Sequence, residues 1–268
     1  EHCRRIAIPQ PVLTNEQLVK LAYVDHSHFQ TKKIGTVFHA DGNPGTLETK
    51  LERLCQYVED AIDEAYSIIL LSDFSISTDH APIPSLLAAS AVHHHLIRVG
   101  KRGKADIIME AGDVREVQHF ATLLGYGVSA VNPYMAIDTI KLMAGSGKLG
   151  NITKKQAIQN YVKAIGGGLL KVFSKMGIST LASYQGAQIF EAVGLKQEVV
   201  DKYFTGTVSR IEGLGLDDIA TEAMMRHRQG FPTRQGGAKV LEPGGEYHWR
   251  KDGERHFLSP TAIQLLQE

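Results

Sequence analysis

Between Leu47 and Ala65 the apolar positions are Leu47, Leu51, Leu54, Cys55, Val58, Ala61, Ile62 and Ala65. They fall three or four residues apart, the spacing of a helix with one buried face. Glu48, Glu52, Arg53, Gln56, Glu59 and Asp63 occupy the opposite side. The pattern then changes to a short apolar run, Ser67 to Asp73 (SIILLSD). Such a run predicts a strand covered on both faces, as in a parallel sheet. The alternation continues with a helix over Pro84 to Val99 and a buried strand over Asp106 to Glu110. Asp113 and Glu116 are expected to cap a helix whose apolar face is Val114, Val117, Phe120, Ala121 and Leu124. Gly125 and Gly127 end it, and Val128 to Val131 forms the next strand. That strand–helix–strand crossover takes about 28 residues, a short βαβ unit.

The rest of the chain is less regular. Thr14 with Gln17 reads as a capping box opening a helix through Leu21, and Lys33 to Phe38 reads as a strand. Further helices are expected over Tyr134 to Ala144, Lys154 to Lys175, Gly186 to Val193 and Leu216 to Arg228, with a strand at Ile178 to Leu181. Alternating strands and helices give an α/β fold with a mostly parallel sheet. Five or six strands suit an incomplete or degenerate (β/α) barrel better than a full eightfold one. After Phe231 the composition shifts. Pro232, Gly236, Gly237, Pro243, Gly244 and Gly245 mark a linker, and Asp252-Gly253 between 246–250 and 254–258 signals a hairpin. The expected organisation is therefore an α/β domain over 1–231 and a linker with hairpin over 232–268. Ser259-Pro260 reads as the start of a helix. The absence of an initial Met, and a helix that stops within about two turns, lead us to expect a piece of a longer protein.

Charge and cysteine usage narrow the function classes. Lys+Arg and Asp+Glu both number 29, so no net field draws nucleic acid or an anionic membrane. No apolar run approaches the roughly 18 residues that span a bilayer, and the first residues lack the apolar core of a signal peptide. The two cysteines, Cys3 and Cys55, make no disulfide framework, and a reducing, cytoplasmic setting is expected. Cys55 lies on the apolar helical stripe and reads as a small core residue.

Four features invite a chemical reading. His93-His94-His95 is the first, but consecutive helical residues point about 100° apart. Their imidazoles therefore cannot converge on one ion, and His80 or His119 could join them only through folding. The second, Gly145-Ser146-Gly147-Lys148-Leu149, resembles the end of a phosphate loop. It has Leu142 where the motif needs Gly and Leu149 where it needs Ser or Thr, and reads as a helix-ending loop. The third, Gly166-Gly167-Gly168, follows no strand and lies inside a helical pattern, which suggests close helix packing or a kink. The fourth is Asp73, Glu110 and Asn132, which end three successive strands. In a barrel that face carries active sites, so the three form either a polar ligand-binding cluster or a set of helix and loop caps. No nucleophile or acid–base pair is assignable among them. No catalytic, cofactor-binding or metal-binding residue is assigned anywhere in the chain.

Several long segments resemble glutamate synthase large subunits. They include Leu51 to Cys55 (LERLC), Ile69 to Asp73 (ILLSD), Pro82 to Ala88 (PIPSLLA), Val92 to Arg98 (VHHHLIR), His119 to Gly127 (HFATLLGYG) and Ala130 to Tyr134 (AVNPY). The most distinctive are Ser174 to Tyr184 (SKMGISTLASY) and Gly186 to Leu195 (GAQIFEAVGL). Phe204 to Ile211 and Gly244 to His248 extend the likeness, which covers the chain from about Pro9 onward.

What the resemblance implies is specific. The family joins an N-terminal glutamine amidotransferase domain, a central domain, an FMN and iron–sulfur synthase domain and a C-terminal β-helix. It converts glutamine and 2-oxoglutarate to glutamate with a ferredoxin or nicotinamide reductant. The chain is similar to the central domain, lacking that domain's first part, with 232–268 leading toward the synthase domain. The amidotransferase nucleophile is an N-terminal Cys, a context Cys3 lacks. A [3Fe–4S] cluster needs three cysteines and the flavin loops belong to the next domain, so neither FMN nor the cluster is expected here. The implied setting is the cytoplasm, or the plastid stroma for a plant protein. The implied partners are the amidotransferase and FMN-binding domains of the same polypeptide, with no nucleic acid or membrane. The expected role is structural, spacing two active sites and helping shape the ammonia path. The alternative is a free-standing barrel enzyme with its polar site at Asp73, Glu110 and Asn132.

Overall fold

The apolar runs assemble into one parallel sheet. In the computed structural model, which describes residues 5–24, 26, 28–232, 244–245 and 248–268, this sheet contains β1 (Thr31–Gly35), β3 (Ile68–Ser72), β5 (Asp106–Glu110) and β6 (Val128–Asn132), in that spatial order. Before it comes α1 (Asn15–Ala22), opened by the expected Thr14 and Gln17 capping box. Between β1 and β3 the chain forms β2 (Val37–His39) and α2 (Thr46–Asp63). Between β3 and β5 it forms β4 (His80–Pro82) and α3 (Ser85–Arg98), and α4 (Val117–Gly125) links β5 to β6.

Side chains alternate across a strand, so β3, β5 and β6 each feed two cores. Ile69, Leu71, Ile107, Met109 and Val131 join the larger one, together with the buried faces of α2, α3 and α4. Ile68, Leu70, Ile108 and Ala130 join a smaller one with Leu13 and Leu18 from the α1 region. The three crossover helices thus share one face, and neighbouring strands follow in chain order. That is the arrangement of a barrel wall, and the four strands form an open arc with no closed barrel among the described residues. The edge of β6 is covered by the chain's own lead: Leu13 donates its amide to Val131 O at 2.8 Å, and Val131 donates to Pro11 O at 2.7 Å.

The helix predicted from Leu47 is α2. Leu47, Leu51, Leu54 and Val58 have no exposed surface. Full burial of such a side chain contributes roughly 1.5–3 kcal/mol, so this one stripe anchors much of the larger core. Gly45, with φ of 77°, turns the chain into the helix, and its amide donates to Asp217 Oδ1 at 2.9 Å.

The remaining elements depart from the sequence pattern at definite places. The single strand expected over Lys33 to Phe38 is two. β1 ends at Gly35, and β2 pairs antiparallel with β4 in a separate two-stranded sheet. Asp113 caps no following helix; its Oδ2 accepts from the Ser85 amide at the start of α3. At the start of α4, His119 Nδ1 accepts from the Arg115 and Glu116 amides. α5 (Tyr134–Gly145) and α6 (Lys154–Met176) form as expected.

The stretch expected as a strand at Ile178 to Leu181 leads instead into the short α7 (Leu181–Tyr184). The expected helix from Gly186 to Val193 is absent. Gly186 and Gln188 have φ of 73° and 54°, which no right-handed helix accommodates. The segment then becomes β7 (Glu191–Leu195), parallel to β8 (Val208–Leu214), with α8 (Gln197–Tyr203) between them and α9 (Leu216–Gly230) after.

Pro232–Glu268 forms a second unit. Its α10 (Pro260–Gln267) is capped by Ser259, whose Oγ accepts from the Ala262 amide, with Pro260 in the first turn. The expected hairpin keeps a turn, with Asp252 at φ 62° and Gly253 donating to Arg250 O. It has no strand at 254–258, because Glu254 donates to Gly244 O, ten residues back, and not across a tight two-residue loop. Gly236, Gly237, Pro243, Glu246 and Tyr247 lie outside the described residues.

The glycine triplet sits inside α6 and divides by environment. A Cβ on Gly168 would lie 2.3 Å from Val117 Cγ2 of α4, whereas one on Gly167 would meet nothing within 4 Å. Gly168 is therefore the close-packing position. Gly168→Ala should destabilise the chain, and Gly167→Ala should stabilise it by about 0.5–1 kcal/mol through helix propensity. Urea unfolding of both variants checks this; equal effects would show that α4 and α6 do not pack through Gly168.

Candidate functional site

A parallel strand leaves its last residues at the carboxyl edge of the sheet, and there the polar groups gather. β3 and β5 pair in register with Ser72 opposite Glu110, and β5 and β6 with Glu110 opposite Asn132. The Asp73 amide donates to Glu110 O at 3.2 Å, and the Ala111 amide to Asn132 O at 3.1 Å. Asp73, Glu110 and Asn132 are all buried, so the fold does bring the three onto one edge.

Their side chains have different partners. Asp73 Oδ2 accepts from the Gly112 amide at 2.8 Å, and Tyr134 also hydrogen-bonds the carboxylate. Burial pushes the Asp73 carboxyl up from 3.8 to about 6, helped by the charges of Asp113 and Glu110 and opposed by the Gly112 and Tyr134 hydrogen bonds. Burial, followed by the Asp73 charge, also raises the Tyr134 phenol. Glu110 Oε2 accepts from Ser72 Oγ and pairs with Lys33 Nζ at 2.6 Å. Asn132 Nδ2 turns to the lead segment, donating to Leu13 O at 2.9 Å and Asn15 Oδ1 at 3.0 Å. Over the cluster, the Phe74 ring meets Tyr134 edge-on at 5.1 Å, with Lys33 Nζ 5.4 Å from its centre.

Tyr134, Lys33, Ser72 and Phe74 belong to this cluster as fully as the three residues found by sequence. Ser72 and Phe74, which flank Asp73, and Tyr134, two residues after Asn132, could have been found from position. Lys33 arrives from β1 through tertiary structure. Chemically the cluster is one carboxylate on a backbone amide, raised to about 6 by burial, and a second held by a hydroxyl and an ammonium. Its serine hydroxyl, Ser72 Oγ, donates to the Glu110 carboxylate, which Lys33 also pairs.

The other candidates have plain structural partners. His93 Nδ1 accepts from Arg102 Nε at 2.9 Å, and burial takes this imidazole down to about 4, so it stays neutral. Arg102 also donates to Ala105 O at 2.8 Å and Gly127 O at 2.6 Å. A Cβ at Gly127, whose φ is 92°, would fall 2.0 Å from His93 Nδ1, so this position requires glycine. His94 lies edge-on to His93 and faces Tyr126 at 6.4 Å, while His95 Nε2 meets Glu59 Oε2 at 2.9 Å. The three rings thus lead to three different places. His80 contacts Ser77 Oγ at 3.1 Å.

The cofactors that the resemblance implies for the larger enzyme do not fit these residues. Cys55 is buried in α2, and burial raises its thiol to about 11, the opposite of what a metal thiolate needs. Cys3 lies outside the described residues. Gly145 to Leu149 winds up the end of α5, with the Lys148 amide donating to Met143 O and Gly147 at φ 74°. Its amides close a helix, as the sequence suggested, and do not form a phosphate cradle.

Comparison with known proteins decides the family. Residues 1–196 match the family described as glutamate synthase central domain. The chain belongs to that family. It is 46% identical over 264 residues to the NADPH glutamate synthase large chain of Bacillus subtilis, covering 98% of this chain and 17% of that protein. It is 42% identical over 271 residues to the NADH glutamate synthase of Schizosaccharomyces pombe, covering 99% and 13%. It is 38% identical over 280 residues to ferredoxin-dependent glutamate synthase 1 of Arabidopsis thaliana, covering 100% and 17%. This glutamate synthase central domain therefore spans less than a fifth of those relatives' lengths. No helix among its described residues is long and apolar enough to cross a membrane.

The raised Asp73 carboxyl has a measurable consequence. Its folded-state pKa exceeds its ordinary value, so the native state holds the proton more tightly and stability declines as pH rises from about 4 to about 6. Asp73→Asn removes the buried charge. The variant's stability relative to wild type should rise across that window by up to about 3 kcal/mol and then level off. Denaturant unfolding at several pH values checks this; a difference that does not change with pH would mean Asp73 titrates normally.

Proposed function

We propose that this domain is the structural centre of a glutamate synthase. It joins the glutamine amidotransferase domain to the FMN and iron–sulfur synthase domain of the same polypeptide and helps shape the path of ammonia between them. The parent reaction turns glutamine, 2-oxoglutarate and a ferredoxin or NAD(P)H reductant into two glutamates. The observation carrying this reading is the family match in a chain that spans only 13–17% of these relatives. The barrel-like wall supports it, because the carboxylates and the Ser72 hydroxyl at its carboxyl edge are engaged by groups of the domain itself. In this reading, residues 1–231 are the central domain without its first part, and 232–268 lead toward the synthase domain. The parent works in the cytoplasm, or in the plastid stroma of a plant. FMN and the cluster belong to the neighbouring domain.

Two active sites that share ammonia must keep a fixed separation, since released ammonia is lost to solvent or protonated. A core packed at crystal-like density resists deformation, and the α2 stripe anchors that core. In the full-length enzyme, Leu54→Ala should loosen it at a cost of roughly 2–5 kcal/mol. Glutaminase activity should persist while glutamine-dependent glutamate formation falls. The measurement is the ratio of glutamine hydrolysed to glutamate formed, at a temperature where the variant is still folded. A wild-type ratio in a demonstrably loosened variant would sink the spacer role. The 268-residue chain should also purify without flavin; a stoichiometric flavin absorption band would overturn the assignment of FMN to the next domain.

A further inference from the structure

Charge is balanced over the whole chain but not along it. Residues 139–190 contain seven lysines and no Asp or Glu. At the chain's mean density, a stretch of that length would carry about six acidic residues. The lysines are Lys141, Lys148, Lys154, Lys155, Lys163, Lys171 and Lys175, all on α5, α6 and the loop joining them. All but Lys141 are exposed. Among the described residues, the one ion pair reaching this stretch is Asp138 with Lys141 at 3.0 Å.

Two features show that this face departs from what folding favours. The first turn of α6 carries Lys154 and Lys155 and no acidic residue, although the positive end of a helix dipole disfavours cations. Gly167, on the outward side of the same helix, has nothing within 4 Å of a Cβ position. It weakens the helix without serving any packing within this domain. Beside it Leu170 is 70% exposed.

Lys141, Lys154, Lys155 and Lys163 line a cleft of about 790 Å³ whose apolar residues are Ile137, Ile158 and Val162. Glu16 of α1 is the acidic residue on its rim. Past the cleft, Lys163, Gly167, Leu170 and Lys171 fall within about 100° of one another around α6, and a helix of this length runs about 34 Å. That reach exceeds a small anion and matches a protein surface.

We propose that the α5–α6 face docks an acidic part of the same parent polypeptide, with apolar contacts at Leu170 and within the cleft. The proposal rests on the glutamate synthase reading, under which more than four-fifths of each of these relatives lies outside this chain. A covalently tethered partner binds at high effective concentration. Complementary charge then sets its orientation, while Gly167 lets its backbone approach closely.

The test is carbodiimide cross-linking of the full-length synthase, which joins a lysine amine to a touching carboxylate, followed by peptide mass spectrometry. The expected result is intramolecular links from Lys163 or Lys171 to an Asp or Glu outside these 268 residues. Reversal of Lys154 and Lys155 to Glu should lower their yield by about fivefold or more, with glutaminase activity retained as the check on folding. Links between separate polypeptides, links confined to Glu16 or Asp138, no links, or yields unchanged by the reversal would each overturn the proposal. The cross-links do not depend on the glutamine-to-glutamate ratio. Expected links beside an unchanged ratio in Leu54→Ala would leave the docking face standing and remove the spacer role.

Discussion

Three parallel strands, β3, β5 and β6, covered on both faces impose the constraint from which the remaining architecture follows. A strand with no wet face can carry only apolar side chains along its length, so polar residues are displaced to its ends. Asp73, Glu110 and Asn132 stand where β3, β5 and β6 stop, because those are the first positions at which a polar side chain finds partners. The same constraint requires cover for the sheet. α2, α3 and α4 cover one face, and the lead with α1 covers the other.

The cluster at the carboxyl edge stands where a barrel builds its active site. A barrel enzyme keeps that edge open to substrate. Here Gly112, Tyr134 and Ser72 hydrogen-bond the carboxylates, Lys33 neutralises one of them, and Asn132 ties the edge to the segment before α1, while Asp73 Oδ1 and Asn132 Oδ1 are buried without a hydrogen-bond partner among the described residues. The histidine triplet follows the same logic: His93, Arg102 and Gly127 form one joint between the end of α3 and the start of β6.

Legibility in the sequence tracked how local the cause was. α2, β3, β5 and β6 were readable because burial on one or both faces writes a period into the residues themselves. β2 and β4 were not, since three residues are too few to show a period and their pairing is set by tertiary contact. The helix expected over Gly186 to Val193 was misread because its apolar residues mimic a helical face. Phe190 belongs instead to an aromatic cluster, stacked on Tyr126 at 6.0 Å, and the backbone is turned by Gly186 and Gln188. At the site, the strand-end residues were legible from position, whereas Lys33 comes from another strand and leaves no mark near Asp73, Glu110 or Asn132 in the chain.

The bridge between Pro11–Leu13 and Val131 has a mechanical meaning. The lead runs parallel to β6 and is hydrogen-bonded to it from both sides of Val131. Tension applied along the chain ahead of Pro11 therefore acts along the strand axis. It loads both hydrogen bonds in shear together, where a hairpin-like pairing would peel them one at a time. One residue further on, Asn132 grips Leu13 and Asn15, so the same load passes into the carboxyl edge of the sheet. The sheet is thereby an anchor: displacement of whatever precedes this segment is resisted by the most deeply buried part of the domain.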